Sequence, residues 1–458
     1  MPKKGFKALL LAAGRSTRMA PIDDKNALRL LGKPLIQYQL EALTKVGYTD
    51  IALVGGKHNL DFLREVAHEN KKATARRPPP RRGKQGGASK AGQARITIIE
   101  QKKLQDGMAG AILAAEQWIA GKPILVLSGN DLVQDKAFNK FKRPGKDGLL
   151  LAKKVSTYFP GGYLTITQDG TITKIVEKPG AGKEPSDLVN IVVHYHPDSA
   201  ALIQSLKNTK SKYDDVYEAA LQRLFAAISY RAVVYDASWL PVKYPWHVLD
   251  VMEKFLPTSP SRGSHAIKKG RGVKIAKSAI VNGPVILDDG VRILDNAVVQ
   301  GPVYIGKNSL VATGALIRGS HIGDNCVIGF GSEVARSFIG DNVWTHTNYI
   351  GDSIIGNNVS FGAGTVTGNL RLDEGNILVD IKGEAVDTGR TKLGIVTGNN
   401  IRVGINTSFM PGKKIGSDSM IGAGIVVAQD IPDGSFVYGK SELVIKKNTA
   451  KIPKRDVL

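Results

Sequence analysis

The sequence predicts an α/β domain with a parallel sheet, followed by a parallel β-helix of hexapeptide repeats. In the first half, strand-like and helix-like segments alternate, whereas in the second half a six-residue period takes over. A chain of 458 residues is also too long for one ordinary hydrophobic core, so two or more domains are expected. We assign residues 1–257 to the first domain, 258–272 to a linker, 273–440 to the β-helix and 441–458 to a basic tail.

The order of elements in the first half predicts a parallel sheet with helices on both faces. The strand-like runs are FKALLLAA, DIALVGG, RITIIE and PILVLSGND, and the helix-like runs are PLIQYQLEALTKVG and GAILAAEQWIA. Ligands of such sheets bind beyond the carboxyl ends of the strands. The loop at residues 12–19 and Asp131 both follow predicted strands. We therefore expect a binding site where these two meet.

The second half repeats an aliphatic or aromatic residue followed by glycine or alanine. The repeat positions are Ile305, Val311, Ile322, Ile328, Ile339, Ile350, Ile355, Phe361, Ile415 and Ile421. A six-residue period is typical of a parallel β-helix, in which each short strand stacks its apolar side chain on the coil below. Ile305, Ile322 and Ile339 fit coils slightly shorter than eighteen residues. The interruption at 370–394 is predicted to be a functional loop.

Composition narrows the possible partners and compartment. The net charge of +22 is concentrated in segments such as residues 71–95, which hold nine Lys or Arg and no acidic residue. Such a run rich in Pro and Gly favours a solvated insertion over a nucleic-acid site. Cys326 is the one cysteine, so no intrachain disulfide forms. Without a recognisable signal peptide or long apolar run, we expect a cytoplasmic protein that does not insert into a membrane.

The segment LLLAAGRSTRM, residues 9–19, indicates a phosphate site. A tight loop beside a helix start offers backbone N–H groups to phosphate oxygens, and Arg18 adds a fork-shaped cation. On this motif, together with VLSGND and TKIVEKP, residues 6–252 resemble the sugar-1-phosphate nucleotidylyltransferases. On the repeats and on HTNYIGDSIIGNNVSFGAGTVTGNLR, residues 273–440 resemble the left-handed β-helix acyltransferases. Together, the two segments resemble the archaeal-type bifunctional family that combines nucleotidyl transfer and acyl transfer in one chain.

This resemblance implies a Rossmann-like nucleotidyltransferase domain with a defined set of nucleotide contacts. Arg18 and Lys25 match positions that neutralise phosphate charge, and Asp131 matches a ligand of Mg²⁺. The positions that match nucleotide-binding residues are Ala12, Ala13, Gly14, Ser16, Thr17, Gln101 and Gly107. The spacing around Gln101 differs from the family pattern, so both UTP and dTTP stay open as co-substrates.

The sugar phosphate is expected at four further positions, and the metal site departs from the family. Gly162, Glu177, Lys178 and Asn190 match residues that contact the sugar or its phosphate. Two substitutions lie near the phosphate loop, where Ser16 replaces a usual glycine and Asp24 a usual proline. Relatives commonly carry a second metal-binding aspartate directly after Trp246, where this chain has His247. Asp250 or His247 are the candidates to replace it.

In the β-helix, the resemblance implies acetyl transfer from acetyl-CoA. His346 is the expected general base toward the sugar amine, since the pKa of imidazole lies near neutral pH. Tyr349 and Asn369 would hold the sugar phosphate. A lysine expected six residues after Asn369 is Gly375, so Arg390 and Lys392 are predicted to bind phosphate instead. Gly422 and Ala423 would leave room for the pantetheine arm. The resemblance also implies a homotrimer, or a dimer of trimers, with sites between subunits.

The predicted function is nucleotide-sugar synthesis by a bifunctional transferase. It would acetylate an amino-sugar 1-phosphate and join a hexose or hexosamine 1-phosphate to UTP or dTTP. Two alternatives are open at this point. In one, only nucleotidyl transfer is retained and the β-helix is structural or regulatory. In the other, the chain is a non-catalytic scaffold that binds polyanions through its basic segments.

Overall fold

A computed structural model describes residues 7–75, 94–142, 144–213, 215–257, 267–440, 445–447 and 449. Most of the predicted basic insertion, the first part of the predicted linker and most of the basic tail lie outside these residues. At the described end of the predicted linker, Ile267–Lys269 is a strand paired into the β-helix. The first coil therefore begins before residue 273.

The first domain contains thirteen strands and seven α-helices among its described residues. The strands are β1 (Lys7–Leu11), β2 (Arg29–Leu30), β3 (Lys33–Pro34), β4 (Asp50–Gly55), β5 (Arg95–Glu100), β6 (Ile124–Ser128), β7 (Asp131–Val133), β8 (Gly148–Lys154), β9 (Gly162–Ile166), β10 (Ile172–Glu177), β11 (Leu188–His196), β12 (Tyr230–Val234) and β13 (Trp239–Pro241). The helices are α1 (Leu35–Val46), α2 (Leu60–Ala75), α3 (Gly107–Ala114), α4 (Glu116–Ile119), α5 (Ser199–Asn208), α6 (Val216–Phe225) and α7 (His247–Phe255).

The main sheet of this domain is mixed, with a parallel part at its centre. Its order is β10-β9-β11-β6-β1-β4-β5, and β8 joins β11 to β12. β1 pairs in parallel with both β4 and β6, whereas β11 pairs antiparallel with β6. The predicted parallel sheet is thus confirmed for β1, β4, β5 and β6. Strands β8 to β11 extend it with antiparallel pairs.

Both faces of this sheet are covered by helices because alternate side chains of each strand point to opposite sides. Ala8 and Leu10 of β1 pack in one buried cluster with residues of α1 and α2. Leu9 and Leu11 pack in a second cluster with residues of α3, α5 and α6. The near-continuous apolar sequence of β1 follows from this burial on both sides.

The second domain is a three-sided parallel β-helix, since each strand pairs with a strand three places further along the chain in the regular coils. The first face holds β14 (Ile267–Lys269), β17 (Val285–Leu287), β20 (Val303–Ile305), β23 (His321–Ile322), β26 (Phe338–Ile339), β28 (Ile354–Ile355), β33 (Val396–Thr397) and β36 (Lys414–Ile415). The second face holds β15 (Lys274–Ile275), β18 (Arg292–Ile293), β21 (Leu310–Val311), β24 (Val327–Ile328), β29 (Val359–Phe361), β34 (Ile401–Val403), β37 (Met420–Ile421) and β39 (Phe436–Val437). The third face holds β16 (Ile280–Asn282), β19 (Val298–Gln300), β22 (Leu316–Arg318), β25 (Glu333–Ala335), β27 (Tyr349–Gly351), β30 (Val366–Thr367), β35 (Ser408–Phe409) and β38 (Val426–Val427).

The hexapeptide positions fill the interior of the β-helix, as the sequence predicts. Ile305 pairs with Ile322, and Ile322 with Ile339, so that aliphatic side chains stack from coil to coil. All ten repeat positions identified in the sequence belong to one buried cluster. Where glycine follows the repeat position, the backbone of the next coil lies too close for a side chain. A Cβ on Gly323 would lie 2.4 Å from the carbonyl oxygen of Gly340.

A hairpin interrupts the coils at the predicted place. It consists of β31 (Leu378–Ile381) and β32 (Glu384–Asp387), which pair antiparallel. The helical path resumes when Val396 of β33 pairs with Ile354 of β28. The insertion thus leaves the first face of the β-helix continuous.

The two domains share a buried apolar cluster. It contains Met19, Leu35 and Trp246 from the first domain and Phe338 and Ile354 from the β-helix, among others. Polar contacts flank this cluster. The N–H of Leu31 donates to Nε2 of His321 (3.1 Å), and Arg29 lies 3.4 Å from Asp341. Arg390, next to the inserted hairpin, forms an ion pair with Asp250 of α7. The β2–β3 hairpin and α7 are therefore held against the β-helix.

Among the described residues, no helix is long and apolar enough to cross a membrane.

The stack of buried isoleucines predicts where the β-helix loses stability. Ile322→Ala removes a fully buried side chain and leaves a cavity, so we expect the free energy of unfolding to fall by about 2–5 kcal/mol. Ile280→Ala is the matched control, because Ile280 is 51% exposed, and it should cost less than about 1 kcal/mol. Urea unfolding followed by circular dichroism measures both losses. Equal losses in the two variants would contradict the burial of this stack.

Candidate active sites

The first candidate site is a cleft of about 800 Å³ at the carboxyl ends of the central strands. It lies beyond β1 and β6, where the phosphate loop and Asp131 were expected. Most of the residues that the sequence assigns to this site line it. These are Ala13, Gly14, Arg18, Lys25, Gln101, Gly107, Asp131, Gly162, Glu177, Lys178 and Asn190.

The phosphate loop contributes less of its backbone than the sequence suggests. Gly14 lines the cleft and has open space around it, so a phosphate can approach its backbone. Ala12 is buried, and its N–H is used in a hydrogen bond to Val54 (2.8 Å). Ser16 and Thr17 do not line the cleft. Ser16 is the left-handed residue that precedes the short 3₁₀ helix Thr17–Met19, and this turn places Arg18 in the cleft.

Lys25 enters the cleft from a second short helix, Lys25–Ala27. Asp24 caps this helix by accepting a hydrogen bond from the N–H of Asn26 (2.8 Å). The aspartate that replaces the family's proline thus orients the lysine. Burial lowers the pKa of Lys25 to about 8; nearby Asp131 opposes this shift, and Arg18 adds to it.

Lys243 is a further, partly buried cation in this cleft, and sequence reasoning missed it. Its Nζ donates to the carbonyl of Pro160 (2.6 Å) and lies 3.9 Å from the ring centroid of Phe159. Burial lowers the pKa of Lys243 to about 8, whereas Asp131 favours the charged form. No motif identifies this lysine, since it is far from the phosphate loop in sequence.

Asp131 is held by two donors from different elements. Its Oδ1 accepts a hydrogen bond from Nε1 of Trp239 (2.9 Å), and its carbonyl accepts one from Nε2 of Gln39. The first contact orients the carboxylate, and the second holds the backbone of Asp131 at the start of β7. Among the described residues, no group of three or more His, Cys, Asp or Glu is placed to hold a metal ion. One carboxylate suits Mg²⁺, which is commonly bound by one or two carboxylates together with substrate phosphates.

The two other candidate metal ligands each contact another part of the protein in this structure. Neither His247 nor Asp250 lines the cleft. Nδ1 of His247 accepts a hydrogen bond from the N–H of Lys243 (3.1 Å), and burial lowers the pKa of His247. Asp250 forms the ion pair with Arg390 instead. The predicted phosphate-binding residue Arg390 is therefore paired with a carboxylate in this structure.

The opposite end of the cleft is formed by a buried amide and a helix start. Nε2 of Gln101 donates to the carbonyls of Lys103 and Gly107, both at 2.9 Å. Gly107 begins α3, and a Cβ on Gly110 would lie 2.8 Å from Nε2 of Gln101. Because the amide nitrogen of Gln101 is occupied, a nucleobase can meet only its oxygen or the backbone.

A third part of the cleft combines a carboxylate, a cation and a buried amide. Oε1 of Glu177 lies 3.0 Å from Nζ of Lys178. A Cβ on Gly162 would lie 3.1 Å from Oε2 of Glu177, so glycine leaves this carboxylate open to the cleft. Oδ1 of Asn190 lies 2.7 Å from Nε2 of His194. Such groups match the hydroxyls and phosphate of a sugar phosphate.

The second candidate site lies on the third face of the β-helix. Nδ2 of Asn369 donates to the hydroxyl of Tyr349 (3.2 Å) and to Asp352. Arg336 binds Asp352 through both carboxylate oxygens, at 2.7 and 2.6 Å. A Cβ on Gly351 would lie within 2.7 Å of Tyr349 and Asn369 side chains, so glycine is needed for this cluster. Arg336 was not predicted, because it precedes the recognised segment by ten residues.

His346 lies three residues before Tyr349 in the same part of the β-helix. Its side chain is exposed, and no hydrogen bond to its ring is formed within the described part of the chain. Only its backbone N–H is fixed, by the side-chain oxygen of Asn348. The neighbouring Trp344 and Phe330 are also exposed. An imidazole that is free on an apolar surface is available to a substrate.

The remaining predicted residues of this site are only partly brought together. Lys392 is exposed and forms a backbone bridge to Leu370, which places it beside Asn369. Gly375 lies in the inserted segment before β31 and close to Arg371, whose guanidinium is paired with Asp373. Gly422 and Ala423 lie several coils further on, where Ala423 packs closely against Gly404. Gly422 and Ala423 themselves add little or no side-chain volume at this position.

Comparisons with known proteins find a family match for the first domain and relatives that span nearly the whole chain. Residues 7–242 match the family model described as nucleotidyl transferase. The bifunctional protein GlmU of Methanococcus maripaludis is 30% identical, over 96% of this chain and 99% of its own. The bifunctional sugar-1-phosphate nucleotidylyltransferase/acetyltransferase of Sulfurisphaera tokodaii is 29% identical, over 94% of this chain and 99% of its own.

Among solved structures, UDP-glucose pyrophosphorylase complexed with UDP-glucose covers 56% of this chain and 98% of its own, with 21% identity and a TM-score of 0.45. This similarity is too low to indicate function. The family match and the near-full-length relatives are sufficient to identify the family of this chain. The chain belongs to the nucleotidyl transferase family, and within it to the bifunctional sugar-1-phosphate nucleotidylyltransferase/acetyltransferases.

Proposed function

We propose that the first domain transfers a nucleotidyl group from UTP or dTTP to a hexose or hexosamine 1-phosphate, and that the β-helix acetylates an amino-sugar 1-phosphate with acetyl-CoA. The observation that best supports nucleotidyl transfer is the set of cations that line one cleft. Arg18, Lys25, Lys178 and Lys243 line it together with Asp131. Nucleotidyl transfer depends mainly on positioning and charge neutralisation, which such a cleft supplies.

In the first reaction, a phosphate oxygen of the sugar phosphate attacks the α-phosphorus of the nucleotide, and pyrophosphate leaves. Arg18 and Lys25 are placed to neutralise the triphosphate. Lys178 and Lys243 lie toward Glu177 and would hold the sugar phosphate. Mg²⁺, when bound by Asp131 and the phosphates, would supply further positive charge. Ala13, Gly14, Gln101 and Gly107 would bind the nucleotide, and Glu177 and Asn190 the sugar.

In the second reaction, the amine of the sugar attacks the thioester carbonyl of acetyl-CoA. The C–S bond breaks, an amide forms, and free CoA thiol is released. His346 would remove the proton from the attacking nitrogen. Tyr349, Asn369 and Lys392 would hold the sugar phosphate, and Arg336 would fix this cluster through Asp352. Gly422 and Ala423 are the proposed contacts of acetyl-CoA.

We also propose that the chain assembles as a homotrimer through the exposed apolar residues that flank His346. Phe330 is 66% exposed and Trp344 is 54% exposed. Large aromatic side chains exposed on the surface of a β-helix are costly to leave in water. A second copy packed here would also shield His346, as a site between subunits requires.

The acetyl-transfer half is tested by following CoA thiol release with glucosamine 1-phosphate or galactosamine 1-phosphate. We expect release that requires the sugar in the wild-type protein and a loss of at least about 100-fold in His346→Ala, because a general base typically contributes this much. Nucleotidyl transfer by the same variant, measured as pyrophosphate release, should be unchanged. Release that persists in His346→Ala would remove this residue from catalysis.

The lowered pKa values of Lys25 and Lys243, which are partly buried, predict how nucleotidyl transfer declines at alkaline pH. Both lysines have a pKa of about 8, so they are charged below this pH and lose their positive charge above it. We expect kcat/KM for the nucleotide to fall as pH rises through about 8, well below the usual pKa of lysine, because this parameter reports the free enzyme. Lys25→Arg keeps its charge and should weaken this decline. An unchanged kcat/KM up to pH 10 would contradict the assignment.

The trimer is tested by measuring mass in solution. Sedimentation equilibrium should give three times the 49.1 kDa of one chain. Trp344→Glu should shift this to smaller species, because a charge would be buried in the contact. Val234→Glu is the matched control, since Val234 is also 54% exposed but lies in the first domain. Identical masses for both variants would exclude this surface as the contact.

A further inference from the structure

A chain of buried hydrogen bonds leads from the cleft into the core of the first domain. Its five members, which we call the Asn190 relay, are Asn190, His194, Tyr217, His196 and Tyr230. Asn190, His194 and His196 lie on the same side of β11, because side chains alternate along a strand. Tyr217 on α6 and Tyr230 on β12 close over them. Every member is buried, and two of them, Asn190 and Tyr217, line the cleft.

The relay is continuous from one end to the other. Nε2 of His194 lies 2.7 Å from Oδ1 of Asn190, and its Nδ1 lies 2.7 Å from the hydroxyl of Tyr217. The same hydroxyl lies 3.1 Å from Nε2 of His196. Nδ1 of His196 lies 2.8 Å from the hydroxyl of Tyr230. Each imidazole therefore uses both of its nitrogens.

Both histidines are neutral at physiological pH, so each carries one ring proton. Burial lowers the pKa of His194 well below its usual range, and His196 adds to this shift. Burial alone lowers the pKa of His196 to about 3. A neutral imidazole donates through one nitrogen and accepts through the other. The direction of one hydrogen bond then fixes the direction of all the others.

Two directions are possible, and Tyr230 distinguishes them. If the hydroxyl of Tyr230 donates to His196, then Nε2 of His196 donates to Tyr217. Tyr217 in turn donates to His194, and Nε2 of His194 donates to Oδ1 of Asn190. In the reverse direction, His196 donates to Tyr230, whose own proton needs another acceptor. Within the described residues the hydroxyl of Tyr230 has no other hydrogen-bond partner, and the side chain is fully buried. A buried hydroxyl without an acceptor is costly, which favours the first direction.

We propose that the relay holds Asn190 in one orientation, in which its amide N–H groups and not its carbonyl oxygen face the sugar phosphate. This inference rests on the proposed nucleotidyl transfer. The sugar atom bound by Asn190 is then a hydrogen-bond acceptor, such as a hydroxyl or acyl oxygen, and a protonated amine is excluded there. His194, His196 and the two tyrosines are positioning residues, because they act through Asn190 and not on the reacting atoms.

The direction of the relay is measured by ¹⁵N NMR of the full-length protein labelled at histidine. His194→Gln and His196→Gln assign two of the eight histidines. We expect both to show the neutral tautomer protonated at Nε2. Protonation at Nδ1 in either residue would overturn the proposed direction. This measurement needs no activity, so it can be interpreted even if nucleotidyl transfer is not found.

The role in sugar binding is measured with Tyr230→Phe, which removes the hydroxyl that sets the direction. With N-acetylglucosamine 1-phosphate as the probe, we expect KM for the sugar to rise about fivefold, the value of one hydrogen bond, with kcat and KM for the nucleotide unchanged. Tyr48→Phe is the matched control, because it removes a buried hydroxyl that donates to Phe141 (2.9 Å) outside the relay. The same KM in both variants would overturn the role of the relay.

Two substitutions at His194 separate positioning from packing. Glutamine keeps a donor toward Asn190 and an acceptor toward Tyr217, whereas leucine fills the space but keeps neither. We expect His194→Gln to retain KM for the sugar within about twofold and His194→Leu to raise it at least about fivefold. Equal values of KM in two variants with the same thermal stability would show that the imidazole only fills space.

Discussion

The parallel pairing of β1 between β4 and β6 is the constraint on which the first site depends. It places the carboxyl ends of β1 and β6 side by side, so the phosphate loop and Asp131 meet although more than a hundred residues separate them. The antiparallel strand β11 then pairs with β6 and brings Asn190 to the same cleft. Asp131 and Asn190 are therefore brought to the cleft by the pairing of strands.

Sequence reasoning predicted the parts of the molecule that depend on periodicity or on local motifs. The β-helix interior, the α/β order and the lining of the cleft follow from repeats and strand ends. Sequence reasoning did not identify residues whose role depends on long-range contacts. Lys243 and Trp239 reach the cleft from another part of the chain, and the ion pair of Asp250, one of two candidate metal ligands, with Arg390 was not predicted. No local pattern reports which partner a charged side chain meets across a domain interface.

The interface also supports the segment that carries Lys25. The segment that carries Lys25 continues directly into the β2–β3 hairpin, and Leu31 of that hairpin is bound to His321 of the β-helix. Burial lowers the pKa of His321 to about 4, so this imidazole stays neutral and accepts the N–H. Asp23 is likewise hydrogen-bonded to Asn399 (2.9 Å). The chain on both sides of Lys25 is thus anchored on the second domain, so the β-helix forms part of the support of the first cleft.

The inserted hairpin has a consequence for how the β-helix folds. In a regular coil, the N–H of Ser353 bonds to Ser337, 16 residues earlier, whereas across the insertion the N–H of Ile395 bonds to Ser353, 42 residues earlier. Closing the longer loop costs about 0.8 kcal/mol more in chain entropy, and contacts between distant residues form slowly. Coils before and after the insertion can each grow from neighbour to neighbour. The insertion is therefore the place where coil-by-coil growth of the β-helix is least favoured by chain entropy.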